Sequence, residues 1–356
     1  MAKCVRTERQ NAEVERKKLS EAGALDNSYV PARDAKYVYF AVKGSPSGMK
    51  LVQKKLVKRE EFAKPLSAEL EGKLTPEERA ELVKSFDIVG DIAVIEVPPL
   101  LRGKERLIAD AIMKQHHGIK VVAKKVGGTA GEFRIRPVRV VAGEKRTHTL
   151  CRESGCFFEL DLNKTYFTPR FGTERGRIAA LVKKNELVLV PFAGVGPFAI
   201  RIAKAVPSAQ VVGIELNPDA CAFFRRNIAR NKLQNCTVLE GDVAKLLPGK
   251  YRGKADRVAM PLPKDASHFL ENCIHCLRKG GMLHYYSFGE APGYYAKAEE
   301  DVRRAAARCP LFARKKGSLF RTGEKVLGRK ARIVFRRIVR PYAKNTEQVV
   351  VDAKID

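Results

Sequence analysis

Residues 187–217 restrict the fold of this chain more than any other stretch, because they predict two strands joined by a glycine turn and a helix. The first predicted strand, 187–190, leads into Gly194-Val195-Gly196, and the second, 211–214, ends on Glu215. A unit of this βαβ type binds adenosine-containing cofactors at the carboxyl edge of a parallel sheet. Glycine lets the backbone approach a ligand closely, and Glu215 is placed to accept hydrogen bonds from two ribose hydroxyls.

The neighbouring turns favour S-adenosylmethionine over a dinucleotide. A dinucleotide site has a third glycine at the position where this chain has Ala199. Asn217 is placed to cap a helix that has Pro218 at its first position. The next predicted strand, 237–239, is followed by Asp242, which we expect to meet the adenine amino group. The alternative is a glycine turn that binds no ligand.

Several segments resemble the tRNA (guanine-N1) methyltransferases of archaea and eukaryotes. The more specific signature is YFTPR at 166–170, followed by GTER at 172–175. The other matching segments are FAGVGPFAIRIAK at 192–204, IELNPDA at 214–220, PLPK at 261–264 and HYYSFG at 284–289. The resemblance covers most of the chain and extends to the related wyosine-pathway enzymes. It implies methylation of the guanosine at tRNA position 37, just 3′ of the anticodon.

The resemblance implies an α/β fold, with a Rossmann-like class I S-adenosylmethionine-dependent methyltransferase domain after two smaller α+β domains. We place a small N-terminal tRNA-binding domain at 1–82, an α+β middle domain at 83–160 and the methyltransferase domain at 161–356. The residue pattern also predicts a helix over 14–25 and a strand over 133–141.

Methylation of guanine N1 requires two kinds of side chain. The nitrogen carries a proton at neutral pH, so a base must remove that proton while the charge that builds on O6 is stabilised. The resemblance assigns Glu174 as the general base and Arg134 as the O6-stabilising arginine, although Arg136 is close enough to take that role. It assigns Tyr166 to a contact with the target base or the cofactor, and Pro263 to the wall of the base pocket.

Each of these side chains also has a purely structural interpretation. Glu174 could be an acid in the first turn of a helix, which it would stabilise only slightly. The two arginines alternate along the predicted strand 133–141, so one of them could face solvent. Tyr166 and Phe167 could be core aromatics, and we expect His284 to be a buried strand residue.

We expect the cofactor to be bound by residues at successive strand ends: Phe192, Gly194, Gly196, Glu215, Asn217, Asp242, Val243 and Pro261. Two positions depart from the family pattern. Pro191 stands where the first strand usually ends in Asp, which removes one acceptor for the methionine amino group. Pro261 stands where the family has an Asn that holds the target base, and proline offers neither a side-chain amide nor a backbone N–H. Base recognition must therefore differ in this chain.

The charge of the chain indicates a polyanionic partner. Its 356 residues carry a formal net charge of +28, and nucleic acid, here tRNA, fits that excess. No apolar run is long enough to span a bilayer, and residues 1–19 lack the apolar segment of a signal peptide. We therefore expect a cytoplasmic monomer without a membrane partner.

The cysteine pattern predicts reduced thiols and no metal site. Of the eight cysteines, only Cys273 and Cys276 form a CxxC, and no second pair follows at zinc-site spacing. The histidines show no metal-ligand spacing either.

Three functions remain open from the sequence. The first is methylation of guanosine N1, and the second is a wyosine-pathway reaction at the same tRNA position. That second reaction is methylation of a tricyclic precursor or transfer of the aminocarboxypropyl group of S-adenosylmethionine. The third is non-catalytic RNA binding by a relic cofactor fold. The intact Glu174 favours methyl transfer over aminocarboxypropyl transfer, and the intact Gly194, Gly196, Glu215 and Asp242 argue against a relic fold.

Overall fold

The computed structural model describes the chain except residues 47, 50, 59–65, 83–84, 129–130, 132, 262–264 and 311–327. Two compact units are present. The first comprises Met1–Leu82 with Lys114–His116, and the second comprises Val83–Met113 with His117–Asp356. The division into three domains at residues 82 and 160 stays a prediction.

The first unit contains an antiparallel sheet with the strand order β2-β3-β1-β4. Its elements are β1 (Ala2–Glu8), α1 (Ala12–Glu21), β2 (Ala32–Arg33), β3 (Tyr37–Ala41), β4 (Leu51–Lys54), α2 (Leu66–Glu69) and α3 (Pro76–Ala80). The helix predicted over 14–25 is α1. Thr75 caps α3, because its hydroxyl accepts the Glu78 N–H while the Glu78 carboxylate accepts the Thr75 N–H.

The second unit begins with a small mixed sheet, order β5-β6-β7-β8, followed by a β-hairpin. The elements are β5 (Asp87–Val89), β6 (Ile92–Ile95), α4 (Glu105–Gln115), β7 (Val121–Lys125), β8 (Val138–Gly143), β9 (His148–Glu153) and β10 (Cys156–Asp161). The prediction of a strand over 133–141 was wrong in its first half. Pro137 has no N–H to donate to a sheet, and Arg134 has φ +53° with its N–H on Gly131 O. The chain therefore turns before β8 begins.

A seven-stranded sheet dominates the second unit, with the order β13-β12-β11-β14-β15-β17-β16. The elements are α5 (Gly172–Leu181), β11 (Leu187–Pro191), α6 (Pro197–Ala205), β12 (Gln210–Glu215), α7 (Pro218–Arg230), β13 (Cys236–Glu240), α8 (Val243–Lys250), β14 (Ala255–Met260), α9 (Leu270–Cys276), β15 (Leu277–Glu290), α10 (Ala296–Arg308), β16 (Ala331–Ala343) and β17 (Thr346–Ile355). Strands β11 to β15 are parallel, and β17 runs antiparallel between β15 and β16.

Alternating residues of β11 enter two different cores. Val188 and Val190 pack in a cluster that includes residues of α5, α6 and α7, whereas Leu189 packs in a cluster that includes residues of α8, α9 and α10. The sheet thus lies between two helical layers, as expected for parallel strands buried on both faces. Because β11 to β14 are parallel, the turns that follow them share one edge of the sheet.

Candidate active site

The turn after β11 has a backbone that only a few residues tolerate. Phe192, Gly194 and Gly196 have φ of +58°, +56° and +89°, and Gly196 directly precedes α6. A Cβ at Gly196 would lie 2.2 Å from ring carbons of Phe224. Both the left-handed backbone conformation and the close contact with Phe224 therefore require glycine at this position.

Glu215, the last residue of β12, is hydrogen-bonded to this turn. Its Oε2 accepts the Gly194 N–H at 2.7 Å, and its Oε1 accepts the N–H groups of Leu216 and Asn217 at 2.9 and 2.8 Å. Burial raises the pKa of Glu215, and these backbone donors act in the opposite direction. A carboxylate has about four acceptor positions, so three backbone bonds leave capacity for a ribose hydroxyl.

Three further residues predicted to bind the cofactor have structural contacts: two cap helices, and one packs in the core. The Asn217 side chain caps α7 by accepting the Asp219 N–H at 3.0 Å, and its amide donates to Lys164 O at 2.8 Å. The Asp242 carboxylate caps α8 with one oxygen, which leaves the other for a ligand. Val243 is 3% exposed, and its side chain packs in the core.

The aromatic groups of this edge divide into packed and exposed side chains. The Phe192 ring packs edge-on against Phe269 at 4.9 Å between centroids. Tyr166 is 48% exposed, so it is not a core residue, whereas its neighbour Phe167 packs against the core. A Cβ at Gly194 would lie 3.6 Å from the Tyr166 carbonyl oxygen. The backbone of Tyr166 therefore borders the glycine turn, and the contact of its side chain with cofactor or base stays a prediction.

The two candidate arginines have different surroundings. Arg134 Nη2 donates to Asp265 Oδ2 at 2.8 Å, and both residues have positive φ, +53° and +60°. This ion pair joins the segment before β8 to the segment after β14. Arg136 is exposed, and its charge acts on the Tyr166 hydroxyl together with that of Arg340. Pro261 ends the described part of the β14 turn, and Pro263 lies outside the described residues.

Glu174 is buried in the first turn of α5, with 2% of its surface exposed. Its Oε1 accepts from Arg177 Nε and from the Tyr286 hydroxyl, both at 2.8 Å. Its Oε2 is also buried and has no hydrogen-bond partner among the described residues, and Arg337 Nη1 is 3.7 Å away. Such burial excludes the interpretation of Glu174 as an exposed helix-terminal acid, and it leaves Oε2 as a buried acceptor without a hydrogen bond among the described residues.

A set of charged side chains behind Glu174 was missed from the sequence. Arg177 also binds Asp352 in β17, whose Oδ1 lies 2.7 Å from His284 Nδ1. His284 Nε2 lies 2.7 Å from Arg257 Nη1, and burial lowers the pKa of His284, which favours a neutral ring. The sequence feature that could have predicted this set is a polar residue within an apolar strand, namely His284 in β15 and Asp352 in β17.

Within the described ranges, no group of three His, Cys, Asp or Glu side chains is arranged to hold a metal ion. The eight cysteines are buried and free. No helix in the described part of the chain is long and apolar enough to cross a membrane.

The order of the seven strands, the glycine turn after the first parallel strand and the acid after the second together define a class I methyltransferase fold. Sequence models match in three consecutive segments: the tRNA methyltransferase 5 N-terminal domain at 4–50, the TYW2 N-terminal domain at 66–147 and the TRM5/TYW2 methyltransferase domain at 149–311. The chain belongs to the TRM5/TYW2 methyltransferase family, as similarity over its full length also shows.

Three relatives illustrate that similarity. The tRNA (guanine(37)-N(1))-methyltransferase Trm5b of Pyrococcus abyssi is 34% identical over 356 residues, which cover 100% of this chain and 99% of the relative. Its crystal structure superposes with a TM-score of 0.71 over 100% of both chains. The structure described as a complex of aTrm5 and tRNALeu is 27% identical, with a TM-score of 0.68 over 99% of each chain.

A third relative is named for two tRNA substrates. The tRNA (guanine(37)-N(1))/4-demethylwyosine(37)-methyltransferase Taw22 of Nanoarchaeum equitans is 32% identical over 268 residues. The match covers 61% of this chain and 88% of that relative. The predicted link to wyosine-pathway enzymes is thereby confirmed at the level of the family.

Proposed function

We propose that this protein transfers a methyl group from S-adenosylmethionine to N1 of guanosine 37 in tRNA. The observation that carries the proposal is the buried Glu174 carboxylate with one oxygen unpaired among the described residues, in a chain that matches a guanine-N1 methyltransferase over its full length. Guanine N1 carries the proton that such an oxygen would accept.

The sheet edge holds the cofactor through its adenosine part. Glu215 accepts the ribose hydroxyls, Asp242 accepts the adenine amino group, and the glycine turn lies against the cofactor. The residues present fit this group, because Glu215 and Asp242 both retain acceptor capacity. When bound, S-adenosylmethionine supplies an electrophilic methyl group.

The side chains of this protein supply the proton transfer and the charge stabilisation. Glu174 Oε2 accepts the N1 proton as the methyl group joins N1, and a guanidinium stabilises the negative charge on O6. Arg134 fits this role if it exchanges Asp265 for the base, and Arg136 fits it without breaking an ion pair seen here. Separate Arg134→Ala and Arg136→Ala variants, compared by single-turnover rate, distinguish the two.

Substitution of the base tests the proposal directly. Glu174→Gln keeps the shape of the side chain but cannot take the proton, so the single-turnover rate should fall by roughly 10²–10⁴. The affinity for S-adenosylmethionine should stay near normal. Glu77→Gln is the matched control, because Glu77 is also a first-turn acid of a helix but is exposed. A Glu174→Gln variant with the wild-type rate would reject the role of base.

Mass-spectrometric analysis of nucleosides identifies the product. A tRNA transcript incubated with protein and labelled cofactor should yield labelled 1-methylguanosine. The second candidate function, methylation of a tricyclic wyosine precursor, is favoured by Pro261 in place of the family's asparagine. A pocket without that amide should discriminate less sharply between the two bases. Offering tRNA with either base at position 37 separates the two functions, and label only on guanine N1 would exclude the second.

A further inference from the structure

The two oxygens of the Glu174 carboxylate have unequal surroundings. Two hydrogen bonds converge on Oε1, from the Tyr286 hydroxyl and from Arg177 Nε, both at 2.8 Å, and the Arg177 Nη2 atom of the same ion pair lies 2.6 Å away. Oε2 has no hydrogen-bond partner among the described residues, although it too is buried. One oxygen of the carboxylate is thus fixed by hydrogen bonds of the fold, and the other, with Arg337 Nη1 3.7 Å away, accepts none among the described residues.

Arg177 is itself held from behind by the C-terminal strand. Its Nη1 and Nη2 donate to Asp352 Oδ2 and Oδ1 at 2.6 and 3.2 Å, a two-point contact that fixes the plane of the guanidinium. The Asp352 side chain is 3% exposed, and the His284 ring lies against its Oδ1 at 2.7 Å. The arginine therefore approaches Glu174 in a set direction.

Tyr286 is fixed by aromatic packing. Its ring lies edge-on to Phe171 and Phe198, with centroids 6.0 Å from each. Burial raises the pKa of Tyr286 well above its ordinary value. The hydroxyl therefore keeps its proton and donates a hydrogen bond to Glu174 Oε1.

We propose that Tyr286 and Arg177 are positioning residues that hold Glu174 by Oε1 so that Oε2 faces the N1 proton of the target guanine. The inference rests on the proposed role of Glu174 as the base. The proton moves from N1 to Oε2 while the methyl group moves from the cofactor sulfur to N1, and neither Tyr286 nor Arg177 loses a proton. Their contribution is orientation, since a small misplacement of a reacting group slows catalysis strongly.

Removal of one hydroxyl tests the role of Tyr286. Tyr286→Phe keeps the ring and its packing but removes one of the two hydrogen-bond donors to Oε1. The single-turnover rate of methyl transfer should fall about tenfold or more, the effect of one hydrogen bond to a charged group. The dissociation constants for S-adenosylmethionine and tRNA should stay unchanged, because Tyr286 is fully buried and its hydroxyl donates to Glu174.

The neighbouring tyrosine provides a matched control. Tyr285 is equally buried but packs in the other core, and its hydroxyl lies 3.4 Å from Asp301 Oδ2. Tyr285→Phe should cost similar stability and leave the rate of methyl transfer as in the wild type. Equal losses of rate in the two variants would show a general effect of lost packing and would overturn the inference.

A double-mutant cycle separates this inference from the proposed function. If Tyr286 acts through the base, Tyr286→Phe should slow the wild type but not the Glu174→Gln variant. If Glu174→Gln has the wild-type rate, the proposed base is wrong. If Glu174→Gln is slow while Tyr286→Phe is as fast as the wild type, the base stands and the positioning role is wrong.

A second variant covers the case in which Tyr286→Phe fails to fold. Arg177→Lys keeps the positive charge but replaces three separate guanidinium nitrogens by one ammonium nitrogen, which cannot reproduce the contacts with Glu174 and Asp352. It should slow methyl transfer without weakening cofactor binding. A wild-type rate in this variant would refute the role of Arg177 and, if Tyr286→Phe cannot be measured, the inference as a whole.

Discussion

At the scale of single residues, Glu215 performs two tasks with one carboxylate. It accepts backbone N–H groups on both sides of the cofactor edge, from Gly194 and from Leu216 and Asn217. The glycine turn is therefore held in place by the same group that is expected to bind the ribose. Such preorganisation lowers the cost of ordering the site when the cofactor arrives.

The raised pKa of Glu215 has a measurable consequence. The ribose hydroxyls donate to the charged carboxylate, so protonation of Glu215 should weaken cofactor binding. Because burial raises this pKa, the affinity for S-adenosylmethionine should be full above it and should fall at a higher pH than an exposed glutamate would give. Calorimetric titrations at a series of pH values check this expectation.

The variant Glu215→Gln is the control for that titration. It should bind the cofactor about 1.5–3 kcal/mol more weakly, the scale for losing a charged hydrogen-bond partner, and its affinity should no longer vary over that pH range. Persistence of the same pH dependence in the variant would assign the titration to another group.

The site residues that could be predicted from the sequence lie close to one another in the chain. Gly194, Gly196 and Glu215 lie within one βαβ unit, and Asn217 follows directly, so their spacing alone predicted their placement. The contact of Glu174 with Tyr286, which is 112 residues away, and the contact of Arg177 with Asp352 were not predictable in this way. Arg177 and Asp352 are 175 residues apart in the chain, and no short-range pattern reports which distant strands will become neighbours.

At the scale of elements, one aromatic ring of α7 packs on both the glycine turn and β12. Phe224 of α7 fills the space above both Gly196 and Gly213, where an added Cβ would lie 2.2 Å from ring carbons in each case. The ring therefore packs directly on the backbone of the cofactor turn and of β12. Helix packing and the shape of the turn are determined together at this contact.

The substitution Gly196→Ala should therefore destabilise the fold. The methyl group would clash with Phe224, and alanine disfavours φ +89°. We expect a loss of at least about 2 kcal/mol of unfolding free energy, from left-handed strain and overpacking together. Denaturant melts of wild type and variant give this difference.

Gly176→Ala is the comparison for that measurement. Gly176 lies inside α5, and an added Cβ would have no atom within 4 Å. Alanine should stabilise that helix by up to about 1 kcal/mol. If both substitutions had the same small effect, the contact between Phe224 and the turn would not control stability.

Elements with long apolar runs were predicted well, and irregular ones were not. The strands β11, β12 and β14 are buried on both faces, so their sequences are nearly continuous apolar runs. The strands β1 and β9 mix buried residues with exposed charged ones, such as Lys3 and Arg152, and neither was predicted. The start of β8 was predicted too early, because the β-branched residues after Phe133 favour a strand and the interrupting effect of Pro137 was not taken into account.

At the scale of the whole molecule, the charge of the chain is the property most relevant to its partner. Lysine and arginine number 68 against 40 aspartate and glutamate residues. Many acidic side chains are engaged within the protein, including Glu174 and Asp352. The excess of positive charge is thus available for the phosphates of tRNA.

Binding of tRNA should depend steeply on salt. Each phosphate contact releases a counterion, so about six contacts would lower affinity by about three orders of magnitude between roughly 50 and 200 mM salt. Filter binding or fluorescence anisotropy with a tRNA transcript measures the slope. The affinity for S-adenosylmethionine in the same buffers is the internal control and should change little. A flat dependence for tRNA would contradict a phosphate-dominated interface.

The position of β17 determines when during protein synthesis the candidate base can be assembled. This strand follows every other strand of the large sheet in the chain, yet it inserts between β15 and β16 and carries Asp352. A nascent chain that has already released β11 to β15 from the ribosome contains the complete cofactor edge but not the partner that orients Arg177. Such a chain should bind the cofactor before Arg177 and Glu174 are held in place. During synthesis, the ability to bind cofactor should therefore precede the ability to transfer a methyl group.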